Sequence, residues 1–397
     1  MKNEKIRNAV WMGGLCAISY LAVYFARNIM GAVSPKMIES GDFTMESIGT
    51  ISSVYFIVYA VGQLINGAIG EYVKARWMIS GGLLLAGVCN ACFVWADGGL
   101  VGACIAYGLT GYFLSTVYGP MTKVLSENVE PRYVTRCTLG YTFSSLFGVP
   151  LAGVAAAALT WQGTFYSSSL FLLVMGAACF AALLVMERKG IVRYGQYQRA
   201  KGGGSIRQLV RLHIVPVTGI NILIGVVRTA VIFWLPTYMT QYLGFSAEGA
   251  ATTFTATTFL ISLTPLITVF AYEKMGSAMF RTTFWSLVIS TAAFALAFAV
   301  KQPAINVAGM VIAIMGANGA STMIVNRYCP GLRDTGMVSG VSGFLDACGY
   351  AAASVSTAVF PRVVEDAGWG VLILAWMVLM LLGTVLAIPL LKAERRS

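Results

Sequence analysis

Two arginines stand inside long apolar stretches of the sequence, where charged side chains are rare. Arg228 lies near the centre of residues 212–247, which contain no other lysine, arginine, aspartate or glutamate, and Arg27 lies nearer the outer end of its own apolar run. A guanidinium stays protonated when it is buried, and its forked N–H donors match the oxygens of a phosphate or a carboxylate. These two residues therefore predict a site that binds an anion.

A third charged residue, Asp346, also lies well inside an apolar stretch. A charge at the centre of a membrane helix costs about 2.5–3.5 kcal/mol on insertion scales, so such residues usually line a polar pathway. The structural alternatives are a buried pair of arginine and aspartate, or an arginine that reaches to the membrane surface. Because one aspartate cannot neutralise two arginines, we expect at least one positive charge to remain for an anion.

Two tyrosines precede the first arginine at helical spacing. Tyr20 and Tyr24 come seven and three residues before Arg27, which places all three on one face of a helix. We expect them to supply hydroxyl groups and aromatic walls to the anion site.

The composition indicates that these residues lie in a membrane protein. Of the 397 residues, 57% are hydrophobic and only 11% are charged, whereas a soluble domain carries about 25% charged residues. Twelve stretches reach the roughly 20 residues that a membrane-spanning helix needs, and backbone groups in lipid require helices. The predicted spans are residues 8–34, 47–69, 77–96, 98–122, 136–158, 163–186, 214–243, 248–272, 279–300, 303–326, 335–360 and 366–391.

The basic residues predict the orientation of the chain in the membrane. With both termini in the cytoplasm, 22 of the 27 lysines and arginines fall in cytoplasmic segments and three fall in external loops. The two that remain are Arg27 and Arg228. We therefore expect a multi-pass protein of the inner or cell membrane, surrounded by lipid. The net charge of +11 is spread over many loops, so it does not predict a nucleic-acid partner.

Metal and enzyme chemistry find little support in the sequence. The pair Cys89 and Cys92 has the spacing of a metal site, but no second pair completes it, and the only histidine is His213. No combination of nucleophile, base and metal ligands is recognisable. We expect no cofactor, no bound metal and no enzymatic activity.

The chain repeats itself once. Arg27 and Arg228 each precede a proline by eight residues, at an offset of 201, and the first acids of spans 2 and 8, Glu46 and Glu248, follow the hydroxyl residues Thr44 and Ser246 as in helix starts. The major facilitator fold consists of two parallel six-helix repeats. Its substrate binds near the midplane of the membrane and is reached alternately from the two sides. We expect an all-α fold of two six-helix halves, residues 1–186 and 214–397, joined by a glycine-rich cytoplasmic linker, residues 187–213. The two arginines would then face each other across a cleft.

Several segments resemble the organophosphate:phosphate antiporter family, whose members transport glycerol 3-phosphate or glucose 6-phosphate. The resemblance covers most of the chain. The segments that carry it are residues 20–27 (YLAVYFAR), 75–85 (ARWMISGGLLL), 120–125 (PMTKVL) and 228–238 (RTAVIFWLPTY). It implies that Arg27 and Arg228 bind the phosphoryl group of the substrate, with Tyr20 and Tyr24 nearby.

The sequence also departs from this family. Asn28 and Gln63 stand where many members have lysine, so the expected site, with Gln63 as a further member, is less basic than usual. Two arginines and an ionised Asp346 leave a charge of +1, whereas a phosphate ester carries about −1.5 to −2. Three functions therefore stay open: exchange of an organophosphate for inorganic phosphate, proton-coupled transport of a carboxylate or sulfonate, and sensing of a sugar phosphate.

The partners expected from these alternatives are few. They are a small anionic substrate, with inorganic phosphate or a proton as the coupling ion. We expect the protein to act as a monomer.

Overall fold

The computed structural model describes residues 2–70, 72–96, 99–194, 210–332 and 338–394; over most of residues 131–146 and at several helix ends it describes the backbone alone. Every regular element in these ranges is helical. The central part of the expected linker, residues 195–209, lies outside the described residues.

Six helices form the first half of the sequence. They are α1 (Lys2–Glu39), α2 (Met45–Ile69), α3 (Ala75–Val94), α4 (Leu100–Asn128), α5 (Pro131–Ala158) and α6 (Trp161–Arg188). The second half contains α7 (Ile214–Gln241), α8 (Ala247–Ser262), α9 (Thr264–Lys274), α10 (Met279–Ala299), α11 (Pro303–Met323), a π-helical turn (Ile324–Tyr328), α12 (Cys329–Gly331) and α13 (Val338–Glu394).

The helices match the predicted membrane spans. Within the described ranges, ten helices are long and apolar enough to cross a membrane, and one of these, Ala247–Lys274, is formed by α8 and α9 together. The 57 residues of α13 contain two spans, because Gly368 adopts a φ of 80° and interrupts the helix there. In α5, the part whose side chains are described, Phe147–Ala158, is also apolar. Each of the twelve predicted spans overlaps one of these helices, and the chain is a multi-pass integral membrane protein.

The break between α8 and α9 was not predicted. Pro265 stands in the first turn of α9, and a proline lacks the N–H that would continue the hydrogen-bond pattern of α8. The hydroxyl of Thr264 donates to the carbonyl of Ile261 over 2.6 Å, which satisfies one acceptor at the break.

The chain folds into two compact units. The first consists of Met1–Arg199 with Ala247–Thr255, and the second consists of Ala200–Ser246 with Ala256–Ser397. The first part of α8 is thus grouped with the first unit, although its neighbours in the sequence belong to the second.

In both units, the first and fifth spans cross at closely packed backbones. A Cβ added to Gly148 of α5 would lie 2.9 Å from the carbonyl carbon of Tyr24 in α1, and one added to Gly225 of α7 would lie 3.0 Å from the Cα of Gly349 in α13. The two residues of each crossing are 124 positions apart in both units. Small residues let membrane helices approach this closely, and the shared register shows that the sequence repeat is also a structural repeat.

A tryptophan at the start of the sixth span hydrogen-bonds to a residue at or just after the end of the first span in each unit. Trp161 Nε1 donates to Asp42 Oδ2 over 3.0 Å, and Trp369 Nε1 donates to Gln241 Oε1 over 3.2 Å. At the start of α2, the backbone N–H of Ser47 donates to Thr44 Oγ1 over 3.1 Å, which confirms the predicted helix cap.

Candidate anion-binding site

Arg27 lies on α1 among aromatic rings of its own helix and of α2. Its side chain is buried, with 9% of the residue exposed. The guanidinium carbon is 5.2 Å from the ring centre of Tyr24, 5.8 Å from that of Phe56 and 5.5 Å from that of Tyr59. Rings within about 6 Å attract a cation through their electron-rich faces. The first unit therefore holds its arginine with three aromatic side chains.

A second layer of tyrosines lies behind this aromatic cage, which we define as Tyr24, Phe56 and Tyr59. Tyr55 stacks on Tyr59 and on Tyr107, with ring centres 6.0 Å and 4.6 Å apart. The hydroxyl of Tyr107 donates to the carbonyl oxygen of Arg27 over 3.5 Å. This layer supports both the ring of Tyr59 and the backbone of α1 at Arg27.

The two amides expected near the site are bound to its tyrosines. Gln63 Nε2 donates to the hydroxyl of Tyr59 over 3.1 Å, and Asn28 Nδ2 donates to the carbonyl oxygen of Tyr24 over 2.6 Å. Gln63 thus reaches Arg27 through Tyr59. Neither amide adds a charge to the surroundings of Arg27.

Tyr20 contacts Tyr24, which in turn contacts Arg27. Its ring centre is 5.0 Å from that of Tyr24 and 5.7 Å from that of Tyr118 in α4. Tyr118 is 37% exposed, whereas Tyr20 is 8% exposed. An aromatic series therefore runs from Arg27 through Tyr24 and Tyr20 to Tyr118.

Arg228 is placed very differently from Arg27. It lies on α7, three residues beyond the crossing at Gly225, and is half-buried. In the part of the chain that the structure describes, its guanidinium has no hydrogen bond, ion pair or aromatic ring as a partner. A charged group at this depth without a protein partner is suited to receive an anion.

Asp346 does not pair with Arg228 in the second unit. The amide of Asn221 in α7 donates to the carbonyl oxygen of Leu345 in α13 over 2.8 Å. Asp346 is therefore level with residue 222, six residues from Arg228, or about 9 Å along a helix that rises about 1.5 Å per residue. Asp346 is exposed. The alternative of a buried pair between Arg228 and Asp346 is thus not what the structure contains.

Several residues near Arg27 were not predicted from the sequence. They are Phe56 and Tyr59 in the cage, Tyr55 and Tyr107 behind it, and Tyr118 beside Tyr20. A signal existed in α2, since Tyr55, Phe56, Tyr59 and Gln63 recur at helical spacing. It does not say which helix these side chains contact.

Comparisons with known proteins place the chain among transporters. The family model described as Major Facilitator Superfamily matches residues 16–357. A membrane sensor protein, UhpC of Salmonella typhimurium, is 30% identical over 84 residues, which are 21% of this chain and 18% of that protein. The glycerol-3-phosphate transporter of Bacillus subtilis is 21% identical over 274 residues, 62% of this chain and 60% of that protein. The match spans less than two thirds of the length of each relative.

Solved structures support the same fold. The crystal structure of a bacterial homologue of the human lysosomal transporter Spinster, in an inward-facing and unoccupied conformation, superposes with a TM-score of 0.74. The alignment covers 98% of this chain and 97% of that chain at 11% sequence identity. At this identity the likeness concerns the fold alone.

Proposed function

The chain belongs to the Major Facilitator Superfamily, a family of transporters rather than enzymes, and on this premise we propose that it exchanges an organophosphate for inorganic phosphate. Sugar phosphates and glycerol phosphate are the substrates that fit the proposal. Transport proceeds by alternating access, in which the two six-helix halves move relative to each other.

The observation that carries the proposal is the state of Arg228. This half-buried arginine has no polar or aromatic partner among the described residues, although a charge at mid-span is unfavourable. An anion bound there would supply the missing counter-charge. Arg27, the equivalent residue of the first unit, carries the second positive charge.

The type of anion follows from the donors. Two guanidinium groups offer forked N–H pairs, and phosphate oxygens accept such pairs in a bidentate manner. The Bacillus subtilis glycerol-3-phosphate transporter, which aligns with 62% of this chain, supports a phosphate ester as the substrate. Tyr20 and Tyr24 lie beside Arg27 and would contact the rest of the substrate, with Gln63 acting through Tyr59.

Exchange also suits the energetics of an anion. Moving one negative charge inward against 100 mV costs about 2.3 kcal/mol. Outward movement of phosphate in the same cycle returns much of this free energy. Coupling to phosphate therefore removes most of the electrical barrier without a further ion.

Transport in proteoliposomes tests the proposal. Vesicles loaded with phosphate are diluted into labelled phosphate, glycerol 3-phosphate or glucose 6-phosphate, with and without a pH gradient. We expect uptake of label that requires internal phosphate and changes little with the pH gradient. Uptake that needs the pH gradient but not internal phosphate would disprove exchange.

A proton-coupled symporter for an organic carboxylate or sulfonate is the second candidate. The position of Asp346 inside a membrane span favours it, because a carboxyl group there can take up and release a proton during transport. The uncharged Gln63 and Asn28 favour it too, since a net charge near +1 matches a monoanion. In this case the pH gradient, rather than phosphate, drives uptake in the same assay.

A sensor of sugar phosphate is a third candidate. One relative favours this function: the Salmonella typhimurium protein that aligns with 21% of this chain is named a membrane sensor protein. Binding of phosphate esters without any counterflow in vesicles would point to this function.

We further propose the placement of the chain in the membrane. Both termini and the linker, residues 187–213, face the cytoplasm, and the protein is a monomer in the inner or cell membrane. The distribution of lysine and arginine over the loops supports this orientation. Cysteine labelling with an impermeant reagent at residues introduced near position 5 and position 392 tests it.

A further inference from the structure

The two arginines occupy equivalent positions of the repeat, but their surroundings differ. At the offset of 201, Tyr24 of α1 corresponds to Gly225 of α7. The first acids of α2 and α8 are 202 residues apart, and at that offset Phe56 and Tyr59 correspond to Thr258 and Ile261. The second unit therefore has no aromatic residue at any of the three positions that form the cage around Arg27.

An aromatic cage holds a guanidinium in a particular way. A carboxylate at the same place would also fix the side chain, but it would neutralise the charge that an anion needs. The face of a neutral ring attracts the cation without cancelling that charge. A side chain that is already ordered also loses less conformational entropy when its ligand binds.

We propose that Phe56 is a positioning residue for Arg27: with Tyr24 and Tyr59 it fixes the guanidinium before the anion arrives, whereas Arg228 is ordered only by the anion itself. The inference rests on the proposed function, since it takes Arg27 as a ligand of the transported anion. It assigns different tasks to two symmetric arginines. Arg27 sets the place where the anion binds, and Arg228 responds to its arrival.

Phe56 is the member of the cage that allows a clean test. It is 4% exposed, and its ring centre lies 5.8 Å from the guanidinium carbon. Tyr24 and Tyr59 also carry hydroxyl groups, so their replacement would change hydrogen bonds as well as the ring. Phenylalanine acts on the cation through its ring alone.

The test replaces Phe56 by phenylalanines with one, two and three ring fluorines, which keep the shape of the ring and progressively weaken its negative face. We expect the Kd of labelled phosphate for the purified full chain to rise stepwise, by about two- to fivefold at three fluorines. The matched control is the same series at Phe165, which stacks on Phe93 at 4.5 Å and has no cation–π contact in the described residues. There the Kd should stay constant.

A second measurement needs no anion. Phenylglyoxal modifies exposed guanidinium groups, and mass spectrometry reports the rates at Arg27 and Arg228 in the same sample. We expect each added fluorine at Phe56 to speed the modification of Arg27 relative to Arg228. An unchanged ratio of the two rates across the series would overturn the positioning role.

The two proposals fail in different ways. If Arg27→Ala abolishes phosphate binding but the fluorine series changes neither the Kd nor the modification ratio, Phe56 is only a packing residue and the proposed function stands. If phosphate binds equally well to Arg27→Ala, Arg27 is not an anion ligand and the inference fails together with the proposed site.

Discussion

Gly225 lies so close to Gly349 that a Cβ on the former would be 3.0 Å from the Cα of the latter. In the first unit, Gly148 is equally close to the backbone of Tyr24, at positions shifted by 201 residues in both helices. Arg27 and Arg228 each follow the crossing by three residues, less than one helical turn. Both arginines therefore lie close to the crossing of the first and fifth spans in their own unit.

Alanine at Gly225 should destabilise the second unit. The added methyl group meets the backbone of α13, and overpacking of this kind costs typically 1–3 kcal/mol. Gly349→Ala is the matched control, because its Cβ would be 3.8 Å from the nearest atom, Asn221 Nδ2. We expect thermal unfolding in detergent to show a lower Tm for Gly225→Ala and a Tm at or above that of the wild type for Gly349→Ala. Equal Tm values for the two variants would contradict this packing.

Replacement of Arg228 by lysine should weaken anion binding even though the charge is kept. Lysine offers a single ammonium group instead of a planar fork, and a hydrogen bond to a charged group contributes about 1.5–3 kcal/mol. We expect the Kd for phosphate, measured by titration calorimetry, to rise at least about tenfold. Arg281→Lys, at an exposed position near the start of α10, should bind phosphate like the wild type. Unchanged binding of phosphate by Arg228→Lys would show that Arg228 does not bind the anion through two parallel hydrogen bonds.

Asp346→Asn distinguishes exchange from proton coupling. If the chain exchanges phosphate, the variant should keep counterflow and bind phosphate about two- to fivefold more tightly, because a negative charge about 9 Å along the helix from Arg228 is lost. Asp366→Asn, at an exposed residue further along α13, serves as the control. Loss of the uptake that a pH gradient drives, with binding of the anion retained, would instead identify Asp346 as the proton carrier.

The ion pair between Arg76 and Glu187 should stabilise the first unit. Arg76 donates to Glu187 Oε2 over 2.8 Å, and the side chains are only 12% and 16% exposed. Removing one member of a buried pair leaves the other charge without compensation, so Arg76→Ala should cost about 3–5 kcal/mol. Tyr194→Phe removes one hydrogen bond to the same carboxylate and should cost about 1 kcal/mol. If both variants lower the Tm by the same small amount, the ion pair contributes no more to stability than an uncharged hydrogen bond.

The hydrogen bond of Tyr194 should persist over the whole physiological pH range. Burial, and then the hydrogen bond to Glu187, raise the pKa of this phenol above its ordinary value of 10.0. A raised pKa means that the stabilisation is complete below about pH 10 and is lost only as the pH rises through the higher value. The difference in Tm between wild type and Tyr194→Phe should therefore be constant from pH 6 to pH 9. A difference that shrinks within this range would contradict the raised pKa.

Much of the architecture could be predicted from the sequence because the bilayer restricts it. Backbone groups in lipid must be bonded within each segment, so length and apolar content are enough to predict a helix. The offset between Arg27 and Arg228 predicted the repeat, which the common register of the crossings at Gly148 and Gly349 confirms. The break before Pro265 was missed, since a proline inside an apolar run can bend a helix or end it.

Composition and spacing were enough to predict that the chain lies in a membrane, that its two halves are repeats, and that each half carries an arginine inside a span. The packing of the helices was needed to show that Phe56 and Tyr59 of α2 surround Arg27 and that Gln63 binds Tyr59. It also showed that Arg228 contacts neither an aromatic ring nor Asp346 among the described residues. The physical reason is that lipid-facing and protein-facing sides of a membrane helix are both apolar, so periodicity does not show which face meets which neighbour. The partners of each arginine therefore depend on how the helices pack.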